Sequence, residues 1–487
     1  MMNEMPTLQP ELPIAIEDWE QTPASVQGVV LALFQQVQHL QIEVSELKEQ
    51  VNCNSRNSSQ PPSSDNPAQK SPPEDKTLSQ KKERRRGGQA GHKGSRRELV
   101  PLEQVDEVKS CKPTHCRECK SELEGEDADP YRYQQVELPP VKPYYTEYQV
   151  HRLTCPGCGT VNRGELPPEI AASMFGANLT GLIAILMGVF RLSKRQVVAL
   201  LEIGYGISLS VGSVVNVQKA VSAALAEPVA KAGDVIKTQS VRYIDETGWQ
   251  QRDQSKKGWL WVVVTPLVVV FTVVLSRAGQ VARDLLGSES VGAVVSDRYS
   301  GYNWLRNHLR QVCWAHLLRD FQKILERGGE STRIGENLRI QAEYLLVLWS
   351  RVRDGTLSHD DFLSELPVIQ EAVRHWLSEG SACQHPKTAN TCRRILAIEQ
   401  ALWTFAHHPH VEPTNNTAER ALRHAVIWRR TSYGTQSESG SRFVERILTV
   451  VATCRQQGRN PLDFVRQAVR AQRSGQPAPS LLPDALP

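Results

Sequence analysis

Apolar residues recur at Val26, Val30, Leu33, Val37, Leu40, Val44, Leu47 and Val51, alternating steps of four and three. Valine falls at a and leucine at d, a narrow seam that predicts a helix over 26–51 pairing as a parallel two-stranded coiled coil. The valines make that helix weak alone, so it needs a partner: a second copy or the protein's own core. Residues 178–229 also carry helical spacing. There LSKRQVVALLEIGYGISLSVGSVVNVQKAV reads as a helix, a glycine-containing turn and a second helix opening near Ser210. This outline suits a helix-turn-helix DNA-binding domain over 166–232, or equally a plain helical linker.

The period then changes. SVRYIDETGWQ, GWLWVVVT and LVVVFTVVLS read as three successive strands, followed by a helix over 278–286 and a fourth strand, VGAVVSDRY. A meander, a helix and a further strand predict an α/β layer. The apolar run 259–275 is seventeen residues long and broken at Thr265-Pro266, so it reads as two buried strands and not as a membrane span. Residues 326–405 turn helical, an insertion that divides the α/β part into 233–325 and 406–473. Residues 1–25 and the Pro/Ser-rich 474–487 read as disordered tails.

At 487 residues the chain has room for several domains, and its formal charge of +4 is modest. The distribution matters more. Residues 52–98 form a Pro/Ser linker and a basic arm; Lys81, Lys82, Arg84, Arg85, Arg86, Lys93, Arg96 and Arg97 face one acid, a net +7 in seventeen positions. That density calls for a polyanion, and nucleic acid is the first candidate.

Ten cysteines occur without an N-terminal signal peptide, which favours a reducing, cytoplasmic setting and thiolate ligands over disulfides. Four stand in two C-x-x-C pairs, Cys116/Cys119 and Cys155/Cys158, predicting a structural zinc module over 99–165. Cys111 and His115 are substitutes for one ligand; buried free thiols, a redox pair or a decayed site are the plainer readings. The intervening YRYQQVEL and YYTEYQVHRL alternate like strands. Three acids have a different context. Asp245 lies in an apolar strand, Asp297 ends another, and Glu419 opens a helix after paired asparagines. Buried acids are costly unless paired, and three that converge could share divalent metals for phosphodiester chemistry. Each also has an ordinary reading: Asp245 paired with Arg242 or Arg298, Asp297 capping a turn, and Glu419 in a capping box with Asn416 or a salt bridge to Arg423.

The motifs NSSQPPSSD, RRRGGQAGHKG, IDETGW, SDRYSGY, CWAHLLRDF and NNTAERALRHAVIWRR, in this order with the two cysteine knuckles, resemble the insertion-sequence-66 family of bacterial transposases. The resemblance implies a multidomain α/β protein: an RNase H-like catalytic core with an α-helical insertion, preceded by a coiled coil, a zinc-binding module and a helical domain. It implies a DDE triad of Asp245, Asp297 and Glu419 using Mg²⁺ or Mn²⁺. The reaction would be cleavage at the element's terminal inverted repeats and 3′-OH strand transfer into target DNA, in a nucleoid-associated homo-oligomer with accessory proteins encoded by the element. A catalytically inactive, transposase-derived DNA-binding protein is the alternative. Thr414 stands where the family often has an acid, and Glu412 is the rival acid nearby. Arg420 and Arg423, one turn apart beside Glu419, are expected to contact phosphates, with Arg429 and Arg430 extending the track. Cys313 and His316 in CWAH can be read as a metal pair, but a C-x-x-H without partners makes a poor zinc site. They are therefore expected to pack or hydrogen-bond beside the site, with His316 positioning DNA or Asp297.

Overall fold

A computed structural model describes residues 19, 21–52, 98–289 and 291–483. The eight cations of the basic arm and the linker lie outside the described residues. The chain divides into two units, 1–69 with 146–487 and 70–145, each considered by itself.

In the larger unit, helix α1 (Ala24–Asn52) is continuous. Val26, Leu33, Val37, Leu40 and Val44 of its seam are about half exposed. A short hairpin, β1 (Arg152–Thr154) and β2 (Val161–Arg163), is antiparallel and wholly exposed. After a single helical turn at Pro168–Ala171, four longer helices follow: α2 (Ala177–Gly188), α3 (Lys194–Tyr205), α4 (Val211–Ala224) and α5 (Ala226–Ile236). Ser193 and Gln196 close a reciprocal capping box at the start of α3, and Gly206 ends it in the left-handed region. Ser210 caps α4. Helix α4 buries Val214, Val217 and Val221, and its exposed face of Gly212, Asn216, Lys219 and Ala223 offers one cation. Such a face cannot follow a phosphate backbone, so the helix-turn-helix reading gains no support from α4.

The centre is a five-stranded mixed sheet built from β3 (Val241–Trp249), β4 (Gly258–Val264), β5 (Val269–Val274), β6 (Ala293–Ser296) and β7 (Arg310–Val312). Its order is β5-β4-β3-β6-β7. The first three strands form an antiparallel meander, and β6 and β7 run parallel to β3. Helix α6 (Gly279–Leu286) makes the crossover from β5 to β6. The apolar run 259–275 is β4 and β5, and no described helix is long and apolar enough to cross a membrane.

After β7 the chain enters α7 (Trp314–Leu325), then α8 (Glu330–Arg353), α9 (His359–Ala382) and α10 (Pro386–Leu396). Trp349 of α8 stacks edge-on against Phe362 and Phe405 with centroids 5.5 and 5.0 Å away, closing the helical layer on itself. The chain returns to the sheet through α11 (Asn416–Ser432), α12 (Glu438–Gln456) and α13 (Pro461–Ser474).

Helix α12 resolves the problem of the sheet's β5 edge. An edge strand leaves alternate N–H groups without a strand partner. Here the amide of Val269 donates to Thr453 Oγ1 (3.0 Å), that of Phe271 to Thr449 Oγ1 (3.0 Å), and that of Val273 to the Glu445 carboxylate. Every fourth residue of a helix advances about 6 Å, and every second residue of a strand about 6.7 Å. The two periods match over three contacts, so polar side chains buried in α12 act as the missing strand. Thr449→Val keeps the shape and strands the Phe271 amide. We expect a loss of about 1–3 kcal/mol, read as a lowered midpoint in thermal denaturation, whereas Thr449→Ser should retain most of it.

Two expectations need correction. Residues 474–483 are not a disordered tail: Leu481 is buried, and Gln457 and Arg459 donate to the carbonyls of Leu481 (2.7 Å) and Ser480 (3.0 Å). The alternating segments YRYQQVEL and YYTEYQVHRL form no strand along 131–150; pairing begins at His151, whose carbonyl accepts the Gly164 amide (3.0 Å), and the strand itself at Arg152. Tyr131, Tyr133, Tyr144 and Tyr145 are all more than three-quarters exposed. Alternation marks a strand only where one face has a core to cover.

Candidate active site

Strands β3 and β6 run parallel with Val241 opposite Ala293, Arg242 opposite Val294 and Tyr243 opposite Val295. The same offset of 52 carries Asp245 to Asp297. The parallel pairing stops short of both residues, so the two acids stand where β3 and β6 part: Asp245 midway along β3, still paired with Val262 of β4, and Asp297 just past the carboxyl end of β6. Such a parting is the usual place for a ligand crevice. Asp245 Oδ1 accepts from the Glu246 amide (2.9 Å). Asp297 Oδ1 accepts from the Tyr299 amide (2.9 Å), the turn-capping contact expected of it, which leaves its other oxygen for further work.

Helix α11 brings the third acid. Its buried stripe, Ala418, Leu422, Ala425 and Trp428, packs on β3 and β4. Asn415 fixes its start, donating from Nδ2 to the Ile244 carbonyl (2.8 Å) and from its amide to Cys313 Sγ (3.1 Å). Arg429 fixes its end, donating to Thr247 Oγ1 (2.9 Å) and the Gly248 carbonyl. The strand carrying Asp245 and the helix carrying Glu419 are therefore stapled one residue from the acid at one end and three turns later at the other. Asn415 is the N-cap residue, which puts Glu419 one position beyond the capping-box site; no side-chain cap forms. Arg429 is a structural residue here and leaves the expected phosphate track. Arg420 and Arg423 are exposed on α11.

The ordinary partners are engaged elsewhere. Arg242 donates to the carbonyls of Leu286 (3.0 Å) and Gly292 (2.7 Å), and Arg298 to Asp320 (2.7 Å). The rival acid Glu412 accepts from Trp349 Nε1 (2.9 Å). A fourth acid, Glu246, faces away from the group and is saturated by Arg277 (2.7 and 2.8 Å) and the Tyr302 hydroxyl (2.5 Å). Arg277 is itself stacked between Trp259 and Tyr299, 4.7 and 4.0 Å from the ring centres.

Burial pushes Asp245 well above the ordinary carboxylate range, and the charges of Glu246, Asp297 and Glu419 push it further. The three acids thus act on one another through charge, although the side chains whose ligand atoms all lie within 4.8 Å of one another are, among the described residues, Cys313, His316 and Glu419. Glu419 Oε1 is buried and makes no hydrogen bond; Arg319 is 3.9 Å away and His316 Nδ1 3.4 Å. His316 thus faces the third acid, not Asp297. Burial, then Arg319, lowers its pKa, and burial lifts the Cys313 thiol to about 11. Carboxylates that repel one another, with a buried oxygen left over, fit a divalent cation, and oxygen donors suit Mg²⁺ or Mn²⁺.

The two cysteine knuckles, one in each unit, have the same internal turn. The Cys116 amide donates to the Ser121 carbonyl (2.8 Å) and the Lys120 amide to the Cys116 carbonyl (3.2 Å). The Cys155 amide likewise donates to Thr160 (2.8 Å) and the Gly159 amide to Cys155 (2.9 Å). Lys120 and Gly159 both take positive φ, 61° and 72°. A bridge brackets each turn, His115 with Glu122 and Thr154 with Val161. Hydrogen bonding from Ser121 lowers the Cys119 thiol to about 7, and Thr160 lowers Cys158 in the same way. Thiols biased toward thiolate on a tight turn suit zinc.

Residues 10–98 match a family of unknown function (DUF6444), and residues 173–442 match the Transposase IS66 family. The second match holds Asp245, Asp297, His316 and Glu419. A curated relative, described as "Uncharacterized protein y4qI" from Sinorhizobium fredii, is 29% identical over 253 residues, 46% of each chain. The match thus spans under half of that relative's length. With more than half of its residues matched in one block that contains the whole carboxylate site, the chain belongs to the IS66 family of transposases.

Proposed function

We propose that this chain is a DDE transposase with an RNase H-like core, cutting DNA at insertion-sequence ends and joining the freed 3′-OH to target DNA. The observation that supports the reading is that Asp245 within β3, Asp297 just past β6 and Glu419 in the first turn of α11 act on one another, the charges of the other two raising Asp245. Asp245, Asp297 and Glu419 are the residues that hold the divalent ions. When bound, those ions supply activation of the attacking oxygen and stabilisation of the leaving one. Asn415 and Arg429 keep α11 in register with β3, so the third acid is presented at a fixed height. Arg420 and Arg423, exposed beside it, contact the phosphate backbone, and the basic arm from Lys81 to Arg97 adds sequence-independent, salt-sensitive affinity. The exposed seam of α1 pairs with a second copy of the chain.

The test is an assay of the full chain on DNA carrying the element's own terminal repeats, with Mg²⁺ or Mn²⁺. Nicking at the repeat boundary, followed by covalent joining to a target plasmid, is expected. DNA binding without either product would return the chain to the class of DNA-binding proteins. The knuckles have their own expected result: freshly reduced full-length protein should contain about one zinc per chain. Zinc-free protein of unchanged stability would remove Cys116, Cys119, Cys155 and Cys158 from the metal ligands.

A further inference from the structure

We infer that His316 is a nitrogen ligand to the same divalent ion that Glu419 holds, making the site a mixed oxygen–nitrogen centre instead of an all-carboxylate one. The inference rests on the reading of Glu419 as a metal-holding acid and adds a residue to it. His316 is in the first turn of α7, which follows β7 directly and starts beside the end of β6, where the Cys313 amide donates to the Ser296 carbonyl (2.9 Å). It therefore sits on the same sheet edge as Asp297. Its Nδ1 is 3.4 Å from Glu419 Oε1, yet both atoms are buried and neither makes a hydrogen bond. A buried ring nitrogen and a buried carboxylate oxygen left facing each other without a hydrogen bond cost free energy unless something lies between them.

The distance distinguishes what that is. A charge-assisted hydrogen bond would draw the pair to about 2.7–2.9 Å. Two ligands each about 2.1 Å from one ion, at 90–110° to each other, lie about 3.0–3.4 Å apart. The observed separation falls in the second range. Cys313 Sγ, a ring nitrogen of His316 and a carboxylate oxygen of Glu419 all lie within 4.8 Å of one another. However, the Cys313 sulfur already accepts the Asn415 amide, so its place is to hold the start of α11 and not to bind the ion. Arg319, 3.9 Å from the same carboxylate oxygen, balances charge without competing for the nitrogen.

The chemistry predicts a change in metal preference. Imidazole favours Co²⁺ and Mn²⁺ over Mg²⁺ relative to a carboxylate-only site. The experiment is pulsed electron paramagnetic resonance of the zinc-replete full chain loaded with Mn²⁺ alone. We expect ¹⁴N modulation from directly bound imidazole, absent in His316→Ala and in His316→Gln, and Mn²⁺ binding lost in Glu419→Gln. Calorimetry should show His316→Ala weakening Co²⁺ about tenfold or more and Mg²⁺ by less; equal losses for both metals would mark His316 as merely structural. If Mn²⁺ binds in a Glu419-dependent way but no nitrogen coupling appears, this inference is overturned while the carboxylate site stands. Nitrogen modulation that persists in both His316 variants also overturns it. If no Mn²⁺ binds the unsubstituted chain, this inference and the proposed catalytic site fall together.

Discussion

Asp245→Asn, Asp297→Asn and Glu419→Gln should each lower cleavage and strand transfer by a thousandfold or more while leaving DNA affinity within a few-fold. The amides keep the size of the side chains and most of their hydrogen bonds. In Asp297→Asn the carboxamide oxygen would still accept the Tyr299 amide, which donates to Asp297 Oδ1 at 2.9 Å. What these variants lose is the charge that holds a divalent ion, and an ion at a phosphoryl centre is worth several kcal/mol of transition-state stabilisation. At about 1.4 kcal/mol per decade, three decades is the smallest loss consistent with that role. Affinity should survive because the phosphate contacts proposed above are assigned to cations and not to these acids, Arg420 and Arg423 among them. Glu412→Gln is the internal control. Its carboxylate is taken by Trp349 Nε1, so activity should stay within a few-fold. Single-turnover cleavage of end-labelled repeat DNA, with circular dichroism to confirm folding, reads all four variants. Should Glu412→Gln be inactive and Glu419→Gln active, the third acid has been misassigned.

The local half of this site is legible in the chain, and the long-range half is not. Asp245 inside an apolar strand, Asp297 at the end of another and Glu419 in a helix's opening turn are all places where a window of ten residues carries the signal. So is the start of α4 at Ser210, a hydroxyl before an apolar period. Strand β7 is three residues long, too short for alternation to register. Yet β7 leads straight into α7 and so delivers His316. That His316 meets Glu419 and not Asp297 depends on the order β5-β4-β3-β6-β7, which no periodicity contains. Asn415 reads locally as a helix opener, whereas its function is to join Ile244 to Cys313, residues 171 and 102 positions away. The polar faces of Glu445, Thr449 and Thr453 look like a solvent-exposed stripe of a helix. They are buried because a strand nearly two hundred residues earlier lacks a neighbour. Polar residues in an apolar helix are ambiguous until the groups they satisfy are known.

Asp245→Asn should make the metal-free protein more stable at pH 7 and the magnesium-loaded protein less so. The sign follows from the raised pKa of Asp245 in the fold, set by burial and by repulsion from Glu246, Asp297 and Glu419. A carboxyl whose folded pKa lies above its unfolded one adds stability below the unfolded value, near 4, and loses it as pH rises through the folded value. At pH 7 the metal-free fold therefore either buries a charge it disfavours or takes up a proton that the unfolded chain does not hold, and the neutral amide removes both costs. Each kcal/mol of relieved repulsion should appear as about 2–4 °C in Tm. The ion reverses the ranking. An ion at a hundred times its Kd stabilises the unsubstituted chain by about 2.7 kcal/mol, and the amide variant forfeits most of that. Thermal denaturation of both proteins from pH 5 to pH 8, with and without Mg²⁺ at constant zinc so that the cysteine knuckles do not confound the comparison, should show the two stability curves exchanging order. A variant that is less stable than the parent without Mg²⁺, or equally stabilised by it, would mean that Asp245 is satisfied by the protein itself. The acids on β3, β6 and α11 would then be a structural network. The repulsion that makes this corner of the sheet costly when empty is the same property that gives it a use for a cation.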